Sequence, residues 1–305
     1  DGVITISDAT FNWALNTNYT GVGIQVVGLG SVSYQYDLTT GVQMSSTTVS
    51  IAAGDIDQYG NVKEKTTTVV DPFGTYTTTN TATFDLATEE WPNRVSHSTV
   101  ENKLTPAAGV PAAHAQATLD RTVTTNILGY DLDHRKPTLV TVGPGSVAYD
   151  QASCEALPGV DEAMNACVST TTVFNDYGLP TSVTITGATI ETESDTAVLK
   201  TRTTNTRYST TGSGEESDGY FPYEVDQITG SHTLTTQSKV NPASGQPIEV
   251  TQPSGITTTS QYDSFARPQQ SDTDGMPIQY MRYLQPDNYA PTHAIAMAVT
   301  YQAGA

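Results

Sequence analysis

The chain has 305 residues, of which 52 are Thr, 24 Gly, 16 Pro and 16 Tyr, with 13 basic side chains against 32 acidic ones. Thr is β-branched, crowds a helical turn and fits a pleated sheet, so these totals disfavour a helix bundle and a doubly wound α/β enzyme. The net charge of −19, with no basic run longer than Arg135-Lys136, excludes a nucleic-acid surface or an anionic membrane as partner.

Disorder is excluded as well, because charged residues make up 15% and Val, Ile and Tyr are plentiful. No stretch approaches the roughly 20 apolar residues of a membrane-spanning helix, so no membrane insertion is expected. The start, Asp1-Gly2-Val3-Ile4, has no charged n-region and no apolar h-region; an export signal is expected to have been removed or to lie upstream.

In chain order, a polar turn and an extended Thr-rich run alternate. Tyr36-Asp37-Leu38-Thr39-Thr40-Gly41 precedes the run Ser45 to Ser50, and Asp57-Gln58-Tyr59-Gly60-Asn61 precedes Lys65 to Val70. The short turn Asp71-Pro72-Phe73-Gly74 leads into Tyr76 to Thr81. Insertion loops are expected near 101–118 and 143–170, the second with a short helix over Asp161 to Ala166. Around them stand Tyr130-Asp131-Leu132-Asp133 and Phe174-Asn175-Asp176-Tyr177-Gly178, the latter followed by Thr181 to Thr186. Later turns are Asn241-Pro242-Ala243-Ser244-Gly245, Gln252-Pro253-Ser254-Gly255, Tyr262-Asp263-Ser264-Phe265-Ala266-Arg267 and Asp274-Gly275.

Each slot in the longer turn has a physical task. The aromatic residue packs on a sheet face, and the Asp or Asn side chain accepts bonds from backbone N–H groups. Gly then supplies the positive φ that reverses the chain. With a shorter turn between successive long ones, each unit is a β-hairpin. Gly245 and Ala266 occupy equivalent slots 21 residues apart, and a repeat of that size means an array in which each unit stacks on its neighbours. The fold class is therefore all-β: one array of antiparallel β-hairpin repeats over 1–305, forming a twisted strip or partial spiral shell.

These motifs resemble the YD-repeat, or RHS-repeat, proteins. Tyr262-Asp263-Ser264-Phe265-Ala266-Arg267-Pro268 carries the Tyr-Asp signature, with Ala266 where Gly is usual. Asp57-Gln58-Tyr59-Gly60-Asn61 followed by Asp71-Pro72-Phe73-Gly74 is a second match, and Gly219-Tyr220-Phe221-Pro222 is similar to a Gly-Arg-Phe-Pro variant with Tyr in the Arg slot. The resemblance covers about residues 30–285. It implies a strip of hairpins that spirals into a hollow β-shell, as in bacterial polymorphic toxins, toxin-complex shell proteins and teneurins. No stretch is similar to the self-cleaving core that follows such shells, so an array segment or a shortened relative is expected.

Cys154 and Cys167 are close in sequence with no His nearby, which suits a loop-closing disulfide; free thiols and a metal role stay open as alternatives. A disulfide would place the chain in an oxidising compartment, secreted or at a cell surface. His97, His114, His134, His232 and His293 are scattered, and no nucleophile elbow or His-Glu-x-x-His occurs, so no catalytic residue and no enzyme activity are expected. Asp55, Asp57, Asp131, Asp133, Asp272 and Asp274 offer hard oxygen ligands, but the twelfth position counted from Asp55 is Thr66, not an acid. No cofactor is expected, with calcium at surface loops as the alternative. Tyr220 with Tyr223, and Tyr280 with Tyr283, are candidates for stacking on sugar rings.

The leading expectation is a non-enzymatic shell or scaffold segment of a larger secreted or surface protein, enclosing or presenting a toxin cargo. Its partners would be other proteins or neighbouring repeats of the same assembly. An extracellular adhesive or carbohydrate-binding module is the alternative.

Overall fold

The computed structural model describes residues 7–17, 25–37, 39–85, 93–109, 120–133, 135–156, 167–191, 196–210, 219–284 and 295–300. They form β1 (Ser7–Leu15), β2 (Val26–Tyr36), β3 (Gln43–Ser50), β4 (Glu64–Asp71), β5 (Gly74–Phe84), β6 (Val95–Pro106) and β7 (Arg121–Asp131). Next come β8 (Lys136–Pro144), the short helix α1 (Gln151–Glu155), β9 (Val168–Phe174), β10 (Pro180–Glu191) and β11 (Thr196–Ser209). The series ends with β12 (Phe221–Thr229), β13 (His232–Val240), β14 (Pro247–Thr251), β15 (Thr257–Tyr262), β16 (Pro268–Thr273), β17 (Gln279–Leu284) and β18 (Ile295–Thr300). The fold is all-β, an array of antiparallel hairpins in which strands successive in sequence pair with one another.

The chain divides into two compact units. One comprises 1–130, 139–169 and 187–199; the other comprises 131–138, 170–186 and 200–305. In the first unit, β1 to β7 pair in succession. Because side chains alternate along a strand, the register separates two faces. One face carries Val69, Tyr76, Leu104 and Val100; the other carries Thr48, Thr68, Thr77 and Thr79. Threonines explain why the sheet forms at all with so few apolar residues. Their methyls pack on the pleat while their hydroxyls pair across strands, as between Thr81 and Thr99.

The buried core of this unit is small. Ile56, Cys154 and Cys167 are its buried apolar residues among those described, beside the buried polar Asn16, Asp57, Thr124, Thr141 and Ser169. The insertion expected from 101 begins later, because residues 101–106 continue β6, paired residue by residue with Gly74 to Thr79. Their polarity suits a strand with two wet faces, which hides it from an apolar-pattern reading. At the second insertion, 143–144 still belong to β8 and β9 starts at Val168. The helix there is α1, while the one expected over 161–166 lies outside the described residues.

In the second unit, β11 to β18 pair in succession. Hydroxyl pairs recur here, with Thr184–Thr203 and Thr186–Thr201 both at 3.1 Å and Thr258–Thr273 at 3.0 Å. Val240 is the buried apolar residue, beside buried Asn175, Thr186 and Ser209.

Candidate functional site

The long turns picked from the sequence share one construction. In the shorter form, Asp57, Asn175 and Asp263 each open the turn. Their backbone N–H groups donate to the carbonyls of Asn61, Leu179 and Arg267, at 3.0, 2.9 and 2.9 Å. The side-chain oxygen of the same residue accepts two turn N–H groups: Tyr59 and Asn61 on Asp57, Tyr177 and Leu179 on Asn175, Phe265 and Arg267 on Asp263. The fourth position is left-handed, at φ 87° in Gly60, 70° in Gly178 and 59° in Ala266.

The longer form adds one residue. Asp37 N–H donates to Val42 and Asn241 N–H to Gln246, both at 2.9 Å, and the left-handed slot moves to Gly41 and Gly245, at φ 68° and 70°. Asp37 accepts from the Thr39 and Thr40 N–H groups and from the Thr40 hydroxyl. Those bonds, led by the Thr40 N–H, hold its carboxyl below the usual range. Asp131 accepts from the Asp133 N–H, and Arg135 (φ 55°) stands in the equivalent left-handed position.

Asn175 and Asp263 carry further ties. The Asn175 amide donates to the Gly219 carbonyl at 2.9 Å, joining its turn to the chain before β12. Arg267 closes on Asp263 through Nε at 2.7 Å and Nη2 at 2.6 Å, and this ion-paired hydrogen bond is the main reason the Asp263 carboxyl sits low.

Two elements of the construction were not visible as sequence motifs. A register shift falls at the residue just before the turn, in Gln35/Tyr36, Thr83/Phe84, Arg207/Tyr208, Lys239/Val240 and Gln261/Tyr262. In three of these the residue opposite is a proline: Pro222, Pro247 and Pro268. Proline has no N–H to give the ladder, so it is tolerated at a bulge or a strand start. The second element is a tyrosine tie. The Tyr262 hydroxyl donates to the Pro247 carbonyl at 2.9 Å, Tyr208 to Pro180 at 3.0 Å, and Tyr130 to Val95. Each reaches the first residue of the preceding strand. Burial raises the Tyr130 and Tyr208 hydroxyls above the ordinary value, Arg94 opposing it at Tyr130 and the Thr206 bond at Tyr208. The signal available in sequence was an aromatic residue one position before Asp, Asn or Ser.

Cys154 and Cys167 form a disulfide, and both are buried. The segment leading to it is strapped down. The Asn126 amide and the Thr141 hydroxyl both donate to the Tyr149 carbonyl, at 3.1 and 2.6 Å. The Thr124 hydroxyl donates to the Gly145 carbonyl at 2.6 Å. Asp150 caps α1 by accepting the Ser153 N–H, and Ser169 donates to Glu155.

Tyr220 is half exposed and meets Tyr177 edge-on at 5.8 Å; Tyr223 lies on β12 and Tyr280 is 42% exposed on β17. His97 and His232 lie on β6 and β13, while His114, His134 and His293 are outside the described residues. Among the described residues no three His, Cys, Asp or Glu side chains group to hold a metal, and no helix is long and apolar enough to cross a membrane.

The fold and its turns define a hairpin array. No family model and no curated protein sequence matches the chain. Among solved structures, it is similar to the crystal structure of TcdB2-TccC3 without the hypervariable C-terminal region, at 9% identity and a TM-score of 0.44 over 91% of this chain. The TcdB2-TccC3-TEV structure gives 10% identity and 0.43 over 91%, and TcdB2-TccC3-Cdc42 gives 11% and 0.25 over 83%. The matched part is 15% of each of the first two chains and 19% of the third.

Proposed function

We propose that this chain is a structural segment of a YD-repeat shell or scaffold, part of a larger secreted or surface protein of bacterial type, with no chemical step of its own. One observation carries the reading: a single turn construction recurs from Asp37 to Asp263, with a capping Asp or Asn and a left-handed fourth or fifth position. Carboxylates that sequence alone would offer to chemistry, Asp57 and Asp131 among them, are used in that construction. The Asp57 and Asp263 carboxylates are engaged by their own turns. Such a molecule works mechanically, by pairing strand after strand so that a wall is closed to proteases and to water-borne partners. In a shell the wall encloses or presents a toxin cargo.

The test is cryo-electron microscopy of the longest natural polypeptide that contains this chain. A hollow wall of hairpins with these residues in it is expected. A solid, helix-covered core around the same residues would sink the shell reading.

A further inference from the structure

On the less polar face of the first unit, Thr47, Val69, Tyr76 and Leu104 form one cross-strand row. The adjacent row is Thr67, Thr78, Asn102 and Arg121. A shallow depression of about 430 Å³ is lined by Tyr76, Thr78, Asn102, Leu104 and Arg121 from these rows and by Thr77 and Lys103. In a chain of net charge −19 these two rows carry no acidic side chain. Lys103 is paired with Glu101 at 2.9 Å, whereas Arg121 has no carboxylate partner among the described residues. The acid next to it in sequence, Asp120, has a carboxylate oxygen on the Leu104 N–H at 2.8 Å. The Thr78 hydroxyl donates to the Asn102 Oδ1 at 2.8 Å, which turns the amide N–H₂ of Asn102 away from Thr78.

We propose that this depression binds an anionic sugar, a uronate residue of an acidic polysaccharide. A planar guanidinium takes a carboxylate through two parallel hydrogen bonds, and Arg121 is the cation here free to do so. The Tyr76 ring offers a face for the C–H side of a pyranose, and Leu104 extends it. The Asn102 amide donates to ring hydroxyls. The volume falls in the range of small-molecule sites and holds one or two sugar rings. Within an acidic surface the depression offers a local cation: Arg121 has no carboxylate partner among the described residues and its two rows hold no acid, so the acid of a single sugar is what it takes. The inference does not depend on the scaffold reading, since a shell wall and a free-standing module would both present this face.

The experiment titrates the intact chain with trigalacturonate, with its methyl ester, and with a glutamate-rich peptide, followed by calorimetry and by NMR shifts. Trigalacturonate is expected to bind, and binding is expected to weaken by about tenfold or more for the neutral ester and for Arg121→Gln. Asn102→Asp, which puts a carboxylate beside Arg121, is expected to abolish it, and Tyr76→Ala, which removes the stacking face, is expected to weaken it. Melting curves of each variant separate lost binding from lost folding, and Arg121 is exposed enough that its variant keeps the fold. Three results would overturn the proposal: no binding of trigalacturonate at millimolar concentration, equal binding of acid and ester, or tighter binding of the glutamate-rich peptide.

Discussion

The strapped end of β7, β8 and β9 and the open meander from β12 to β16 use the same Thr-rich strands and reach opposite degrees of burial. Under the strap, Thr124, Thr141 and Ser169 are each 1% exposed and the two cysteines are nearly as deep. Along the meander, Val240 is the buried apolar residue among those described, and Leu234, Ile248 and Ile256 are exposed. The difference is not composition. A covering segment, tied by the Cys154–Cys167 bond and by hydrogen bonds to the Tyr149 and Gly145 carbonyls, converts a wet sheet face into an interior. Where no segment crosses, the same strands stay half exposed, and stability rests on ladders and turns.

The largest expected effect comes from cutting the strap. Replacing both cysteines with Ser is expected to cost about 3 kcal/mol, the loop-closure contribution for a loop of this length. Hydrogen exchange should accelerate at 145–155 and in the adjoining strands while β12 to β16 keep their protection. Equal acceleration in both regions would break the comparison.

A smaller contrast tests the buried hydroxyls. Thr141→Val removes a donor to the Tyr149 carbonyl in a dry site, and a cost of about 1–2 kcal/mol is expected. Thr258→Val removes a hydroxyl paired with Thr273 on the open meander, where water replaces it, and a change within about 0.5 kcal/mol is expected. Urea melts of the two variants measure the gap. If Thr258→Val costs as much as Thr141→Val, hydroxyl ladders rather than cover hold the sheet.

The turns were largely legible in the sequence, and the ties between distant residues were not. Asp57, Asn175, Asp263 and the glycines near them act within a few residues of chain, so spacing alone gives their roles. The Ala266 slot could be read the same way, because the residues around it match the turn. The tie from Tyr208 to Pro180 spans 28 residues, and the bond from Asn126 to Tyr149 spans 23. Nothing local marks the acceptor of such bonds, since it is a backbone carbonyl that every residue possesses. The strand through 101–106 was missed for a related reason. A sheet wet on both faces loses the alternation of apolar and polar residues from which strands are read.

Acid should act on both regions in the same direction. Asp150, held low mainly by its bonds from Ser153, caps the strap's helix. Asp37 and Asp263, held low by Thr40 and Arg267, close turns. All three carboxyls sit below the ordinary aspartate value in the folded chain, so each contributes stability that is present above that value and lost as pH falls through the folded one. Melting temperatures should be flat down to about pH 5 and then fall, with each group's share small because it faces solvent. Asp150→Asn should flatten the acid limb in the strapped region, and Asp263→Asn in the open one. An acid limb unchanged in both variants would assign the loss to other carboxylates.

The smallest effect separates the turns themselves. Gly60 and Ala266 occupy the same left-handed slot, but only one is glycine. A β-carbon in this conformation costs about 1–2 kcal/mol, against about 0.5–1 kcal/mol for the extra unfolded-state freedom of glycine. Ala266→Gly is therefore expected to stabilise the chain by about 0.5 kcal/mol. Gly60→Ala should do the reverse and more, because its new carbon would stand 2.5 Å from the Gln25 amide nitrogen and must also take up φ 87°. Gln25 bonds the Tyr59 carbonyl, so the displaced amide would loosen the turn that Asp57 caps. Opposite signs in the two swaps, read by urea melts, would mean that the slot's conformation sets the residue. The same sign in both would place the preference in the neighbours, with Arg267 holding Ala266 in a shape that glycine does not improve.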